Sequence, residues 1–244
     1  MHSIGKGLIF FLCCLSLMIL RADCAAAVDL SPENCREEHL SHSDMIALNS
    51  NQYHQERPII IFFPGSAECS RPDAVMRFVR DYHLYDDLHA DFLAVAIRTK
   101  GSRPEEWEEP AGDLLAFLAE KYETEPFDII VDAVSFGGCG ACCLTQLLQD
   151  HEIPVRELNL ADACVSSCVT ADWIDQLALG GTRVNLWGCY ENTRISKATR
   201  MTIEALQDRE NVQGQLFSCT HGQVLAVAVH DFGLHQEYRD AEQE

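Results

Sequence analysis

Six short apolar runs alternate with amphipathic segments from residue 58 to near the end of the chain. Each run is apolar at consecutive positions rather than at every second one, which predicts strands buried on both faces. The predicted strands are residues 59–66, 91–101, 127–135, 157–165, 183–190 and 212–220. The segments between them carry apolar residues at helical spacing, which predicts helices at residues 73–89, 105–123, 138–152, 170–179, 196–210 and 222–238.

This alternation predicts a single α/β domain over residues 58–244, built as a three-layer sandwich. Its mostly parallel sheet has about six strands, and helices cover both faces. Right-handed crossovers bring the carboxyl end of every parallel strand to one edge of the sheet, where such folds hold their sites. Residues 28–57 are mostly polar, and we expect them to form a loosely structured entry segment.

The first 27 residues have the order of parts of a secretory signal peptide. Lys6 precedes the apolar stretch 8–20, and small residues follow near Ala26 and Ala27. We therefore expect a secreted or cell-envelope protein. Thirteen apolar residues are short for a bilayer span, so a permanent membrane anchor formed by residues 8–20 is the alternative.

The chain is strongly acidic, with a formal net charge of −20 over 244 residues. Such a charge repels phosphate backbones and anionic lipid surfaces. We therefore expect neither a nucleic-acid partner nor stable embedding of the mature domain in a membrane.

Residues that carry chemistry follow several of the predicted strands. Ser135 ends the third strand, and small residues stand two positions before it (Ala133) and two after it (Gly137). A nucleophile on a sharp strand-to-helix turn requires small neighbours at these positions. The turn also puts Ser135 at a helix N-terminus, where the backbone N–H of Phe136 is the first candidate donor to an oxyanion. The bland alternative is that Ser135 only caps the helix.

Histidine and acidic residues complete the pattern at the same edge. His221 follows the last strand and is itself followed by Gly222, so its ring can lie over the sheet edge. Asp162 follows the fourth strand and Glu191 the fifth, and an acid in either place could orient an imidazole. His230 and His235 fall inside the predicted last helix, and we expect them to be surface residues.

The segment "AVSFGG", the Pro-Gly turn at residues 64–65, an acid after the penultimate strand and "THG" after the last strand together resemble the α/β-hydrolase superfamily. The resemblance extends over most of residues 58–244. It implies a Ser–His–acid triad of Ser135, His221 and an acid, and a second oxyanion donor at the N–H of Ser66. Ala133 stands where the family commonly has glycine, and Pro64 where many members have histidine.

The acid of that triad has two candidates. "LWGCYEN" is similar to the family's strand–Gly–x–x–acid pattern and favours Glu191, although the family more often has aspartate there. Asp162 is the alternative acid, at a position that some family members use. Only 17 residues separate the fourth and fifth strands, which leaves no room for a lid.

Twelve cysteines are present, three of them within residues 1–27. Cys139, Cys142, Cys164 and Cys168 superficially have the composition of a zinc site. The first two lie on the helix that packs closest to the sheet, where small apolar residues are favoured, and in an exported protein some thiols are expected to form disulfides. We expect no metal, and packing and disulfide bonding remain open.

The sequence thus predicts an exported serine hydrolase that acts on small-molecule carboxylic esters through an acyl-enzyme and needs no cofactor. The alternative is a non-catalytic protein of the same fold that serves as a binding or structural module, with disulfide-bonded or metal-binding cysteines.

Overall fold

A computed structural model describes residues 35–41, 43–48, 58–65, 71–86, 88, 90–98, 101–122, 128–165 and 167–239. The strands in this part of the chain are β1 Cys35–His39, β2 Ser43–Leu48, β3 Ile59–Phe63, β4 Asp91–Ile97, β5 Ile129–Val134, β6 Val155–Ala161, β7 Arg183–Cys189 and β8 Val212–Phe217. The α-helices are α1 Pro72–Asp81, α2 Glu108–Lys121, α3 Gly137–Asp150, α4 Ala171–Leu179, α5 Arg194–Leu206 and α6 Val224–Asp231.

The strands form one sheet in the order β1-β2-β4-β3-β5-β6-β7-β8. The six strands from β3 to β8 are parallel, as the apolar runs predict. Alternate side chains of each strand enter opposite cores. Ile59, Ile61 and Phe63 pack with the helices of one face, and Ile60 and Phe62 pack with those of the other. The predicted three-layer α/β architecture is confirmed.

The amino-terminal end of the sheet differs from the expectation. The prediction that residues 28–57 are loosely structured is wrong for its described part, because β1 and β2 form an antiparallel hairpin there. β2 then pairs antiparallel with β4, with Met45 opposite Val95. Pairing with a strand distant in the sequence fixes this hairpin, and its two short segments, apolar only at residues 45–48 and Cys35, give no strong local signal.

The last helix is shorter than its apolar spacing predicts. α6 ends at Asp231, Gly233 takes a positive φ of 70°, and a 3₁₀ helix follows at Gln236–Tyr238. His230 is exposed, as expected. His235 is buried with 3% of its surface exposed, so the expectation that it lies on the surface is wrong.

The predicted signal peptide, including the apolar stretch 8–20, lies outside the described residues. Within the part of the chain that the structure describes, no helix has the length and apolar character required to span a bilayer.

Candidate functional site

The turn between β5 and α3 holds Ser135 in a left-handed backbone conformation, with φ of 55°. A non-glycine residue in this region is strained, and such strain is concentrated at functional turns. The hydrogen bond from the Ser135 N–H to the Ala161 carbonyl oxygen, at 3.3 Å, ties the turn to the end of β6. The side chain therefore stands at the carboxyl edge of the sheet, directly before a 14-residue helix.

The glycines after Ser135 let two neighbouring segments approach the turn. A Cβ at Gly137 would overlap the carbonyl oxygens of Phe63 and Pro64, and a Cβ at Gly138 would overlap the carbonyl oxygen of Ala163. These contacts hold the start of α3 between the end of β3 and the segment that carries Asp162. Small residues are therefore required here by packing as well as by the turn itself.

His221 and Asp162 form a pair at the same edge of the sheet. The Nδ1 atom of His221 lies 2.7 Å from Oδ2 of Asp162, and the carboxylate side chain is fully buried while the imidazole is 25% exposed. A carboxylate only accepts hydrogen bonds, so Nδ1 carries the proton and Nε2 is left as the basic nitrogen. This is the orientation that a general base requires.

Two further side chains hold the Asp162 carboxylate. The Ser196 hydroxyl donates a short hydrogen bond to Oδ2, and the Cys189 thiol donates to the same atom at 3.1 Å. Burial raises the pKa of Asp162, but the hydrogen bonds from His221, Ser196 and Cys189 outweigh it and hold the pKa below its ordinary value. Asp162 is therefore ionised and able to stabilise a positive charge on the imidazole.

Glu191 has a different place from the one that the sequence favours. Its Oε2 atom accepts a 2.8 Å hydrogen bond from the backbone N–H of His221 rather than from the ring. The preference for Glu191 over Asp162 as the acid next to the imidazole is corrected in favour of Asp162. The physical reason is that the short connection after β7 brings Glu191 to the main chain at the start of the 3₁₀ helix His221–Gln223.

The remaining predicted site residues are only partly described. Phe136 follows Ser135 and precedes α3, where its N–H can meet a developing negative charge. Ser66 lies outside the described residues. Among the described residues the His221 ring is hydrogen-bonded to Asp162, and no hydrogen bond joins it to the Ser135 hydroxyl.

Sequence reasoning missed Ser196. Thr193 caps α5 by accepting a 3.0 Å hydrogen bond from the Ser196 N–H, and the Thr193–Ser196 spacing marks a helix start. That signal could have located the helix. It could not show that the Ser196 hydroxyl faces Asp162, because this depends on how α5 packs across the sheet.

A cavity beside Phe136 has a volume of about 280 Å³, near the lower end of the range that is usual for small-molecule sites. Its walls are mostly apolar, and the residues that line it are Ser102, Phe136, Cys164, Val165, Ser167, Arg194, Ile195 and Ala198. Arg194, on the first turn of α5, brings a positive charge to this cavity. Between β6 and β7 the described chain has α4 as its one helix, in agreement with the short connection that leaves no room for a lid.

Several thiols besides Cys189 lie near the site. Cys139 and Cys142 on α3 approach Cys168 in the segment after β6, and Cys143 contacts the Pro104 carbonyl oxygen. Among the described residues, no group of three or more His, Cys, Asp or Glu side chains is arranged to hold a metal ion.

Comparison with known proteins finds solved structures of similar architecture. No family model and no curated protein matches the sequence. An esterase of Pyrobaculum calidifontis is similar over 86% of both chains, with a TM-score of 0.58 and 13% identity. The hormone-sensitive-lipase homologue EstE7 from a metagenome library is similar over 86% of this chain and 87% of its own, with a TM-score of 0.54 and 12% identity.

A third similar structure is the ester-hydrolase EH1AB1 from the metagenome of Lake Arreo. It covers 85% of this chain and 80% of its own, with a TM-score of 0.53 and 11% identity. The chain has the α/β-hydrolase fold. At these identities the likeness concerns the fold, and the α/β-hydrolase fold supports more than one function, so function has to be argued from the residues of the site.

Proposed function

We propose that this protein is an exported serine hydrolase that cleaves carboxylic esters. The observation that carries the proposal is the strained turn of Ser135 at the sheet edge where His221 pairs with a buried, ionised Asp162. A nucleophile, a base with the correct tautomer and an orienting acid are the parts that acyl transfer requires.

In the proposed reaction, Ser135 Oγ attacks the ester carbonyl carbon while Nε2 of His221 accepts the hydroxyl proton. The tetrahedral oxyanion is stabilised by the N–H of Phe136 and, as the sequence suggests, by that of Ser66. His221 then returns the proton to the leaving alcohol. Water then attacks the acyl carbon while Nε2 of His221 accepts a proton from it. The bond between the acyl carbon and Ser135 Oγ breaks, His221 returns the proton to Oγ, and the acid is released.

The proposal requires the Ser135 hydroxyl to turn toward the His221 ring when substrate binds. Hydrogen bonds of this kind are often long or poorly aligned in free enzymes and tighten in the complex. A rotation about the Ser135 side-chain bond changes no backbone contact, so the strained turn is compatible with it.

The cavity beside Phe136 supports a small or medium acyl group as the substrate's acid part. Its apolar walls suit a short hydrocarbon chain, and Arg194 suits an oxygen acceptor or a carboxylate at the far end of that chain. The acidic surface of the protein disfavours anions at long range. Salt screens such interactions beyond about 8–10 Å, whereas a direct contact with Arg194 persists.

Labelling with a fluorophosphonate probe, which reacts with activated serine hydroxyls, tests the proposal. We expect the wild type to be labelled, Ser135→Ala to be unlabelled, and Ser167→Ala to be labelled like the wild type. Ser167 is a suitable control because it is an exposed serine at the same cavity. A wild type that does not react, together with no turnover of p-nitrophenyl esters, would favour the non-catalytic alternative.

A further inference from the structure

The thiols of Cys139 and Cys142, on α3, lie close to Cys168, in the segment after β6. The Sγ atoms of Cys139 and Cys168 are 3.2 Å apart, although the residues are separated by 29 positions in the chain. The Cys142 thiol lies on the same side of α3, three residues after Cys139, and donates to the Cys168 carbonyl oxygen at 3.5 Å. Neither segment needs to move far to bring Cys139 and Cys168 to the disulfide bond length of about 2.05 Å.

The two partners differ in exposure, which fixes the order of their reactions. Cys168 is half-buried and reachable from solvent, whereas Cys139 is fully buried. Hydrogen bonding with the neighbouring Cys139 and Cys142 thiols holds the pKa of Cys168 well below its ordinary value, against the effect of burial. Thiolates are the reactive form in thiol–disulfide exchange, so Cys168 is the entry point.

We propose that Cys139 and Cys168 form a disulfide bond that links the nucleophile helix α3 to the segment carrying Asp162. The oxidant is a small-molecule disulfide such as oxidised glutathione. The Cys168 thiolate attacks one glutathione sulfur and releases the first glutathione as a thiolate. Cys139 then loses its proton and attacks the Cys168 sulfur, and the second glutathione leaves. Two thiols are oxidised and one glutathione disulfide is reduced.

The proposed disulfide bond would link two segments that carry candidate catalytic residues. Ser135 stands directly before α3, and Asp162 and Cys168 both belong to the connection between β6 and α4. The bond would therefore fasten together the two backbone segments that carry the candidate nucleophile and its acid. It also suits an exported protein, because disulfides persist in oxidising compartments.

Thiol counting in a glutathione redox buffer tests the proposal without any assay of hydrolysis. Full-length protein is equilibrated with oxidised glutathione, denatured, and alkylated with a maleimide–polyethylene glycol that shifts each free thiol on a gel. The wild type should lose one pair of alkylatable thiols and regain it with dithiothreitol. Cys143→Ser is the matched control: Cys143 is on the same helix but contacts the Pro104 carbonyl, so this variant should lose the pair as the wild type does.

Two more variants separate Cys139 from Cys142 as the partner. Oxidised glutathione should still remove two alkylatable thiols from Cys142→Ser, because the Cys139–Cys168 disulfide can form in it. It should remove no such pair from the double variant Cys139→Ser/Cys142→Ser. A Cys142→Ser protein that keeps all its thiols, or a Cys168→Ser protein that closes a pair as readily as the wild type, would overturn the proposal.

Thermal unfolding gives a second readout. A disulfide bond between Cys139 and Cys168, which are 29 positions apart, should raise the unfolding midpoint of the oxidised wild type by about 5–10 °C over the reduced protein. Cys168→Ser should show no such difference between the two buffers, and its circular dichroism spectrum reports whether it folds. An equal midpoint of oxidised and reduced wild type would contradict the proposal.

Discussion

The Asp162 carboxylate and the His221 imidazole are joined by a 2.7 Å contact between Oδ2 and Nδ1, although 59 positions separate them in the chain. Glu191 holds the main-chain N–H of the same histidine. One acid thus orients the ring, and the other fixes the backbone that carries it. Because the two carboxylates have different roles, substitution of each should have a different effect on catalysis.

Asp162→Asn should lower kcat for a p-nitrophenyl ester by about 10³–10⁴-fold. An amide can donate to Nδ1 and so favours the wrong tautomer of the imidazole. Glu191→Gln keeps an oxygen acceptor for the His221 N–H, and we expect a loss of no more than about tenfold. Steady-state kinetics of both variants decide the point. A larger loss in Glu191→Gln than in Asp162→Asn would restore Glu191 as the acid.

Gly138→Ala should destabilise the protein by about 1–3 kcal/mol, because the added methyl group meets the carbonyl oxygen of Ala163 in a closely packed region. Gly112→Ala is the matched control, since a Cβ at that helical position meets nothing within 4 Å. That change should stabilise the protein by about 0.5–1 kcal/mol through helix propensity. Urea unfolding measures both free energies, and equal effects of the two substitutions would exclude the close approach at Gly138.

Arg194→Gln should change which acyl groups are accepted. The test compares p-nitrophenyl butyrate with mono-p-nitrophenyl succinate. The two esters have the same leaving group and the same number of acyl carbon atoms, but the succinyl chain ends in a carboxylate. Loss of the guanidinium should lower the ratio of kcat/KM for the succinate ester over the butyrate ester by about tenfold.

Lys197→Gln controls for charge in the Arg194 experiment. Lys197 is an exposed cation on the same helix and does not line the cavity. Its substitution removes the same net charge and should leave the ratio near that of the wild type. A ratio unchanged in Arg194→Gln would exclude Arg194 as a specificity residue, while turnover of either ester would still support the hydrolase.

Local sequence pattern was sufficient for the parallel strands and for the placing of Ser135 and His221 at the sheet edge. Continuous apolar runs and small residues around a serine are local signals. The hairpin of β1 and β2 depends on pairing with β4, and the choice of Asp162 depends on where α5 and the last loop cross the sheet. Neither is encoded at a fixed spacing, so the sequence favoured Glu191 over Asp162 and missed the hairpin.

His235 is a further residue whose position depends on a partner that is distant in the sequence. Helical spacing puts it on the last helix, but α6 ends at Asp231 and the His235 ring is buried with Nε2 at 2.8 Å from Oδ2 of Asp132. The Tyr85 hydroxyl and the Asn159 amide donate to the same carboxylate, at 2.7 and 2.8 Å. A strand residue three positions before Ser135 thereby holds the segment that follows α6 against the sheet.

The stability of the protein should therefore depend on the protonation of His235. Burial lowers the pKa of His235, but the charge of Asp132, the hydrogen bond with it and the charge of Glu157 outweigh burial and the opposing Arg239. The folded-state pKa is thus raised above the unfolded value of about 6.5. A raised pKa means that the stabilisation is complete below about pH 6.5 and is lost as the pH rises through the folded-state pKa.

Urea unfolding of the wild type and His235→Gln between about pH 5.5 and 9 measures this effect. The difference in unfolding free energy between the two proteins isolates His235 from the other titrating groups, and we expect it to be largest at the acidic end and to fall as the pH rises. Asp132→Asn should remove or reverse this fall, because burial is then no longer outweighed by the Asp132 charge and lowers the pKa of His235. A difference that stays constant or grows with pH would mean that His235 is buried in its neutral form, and that the segment after α6 is held by hydrogen bonding and packing without a charge pair.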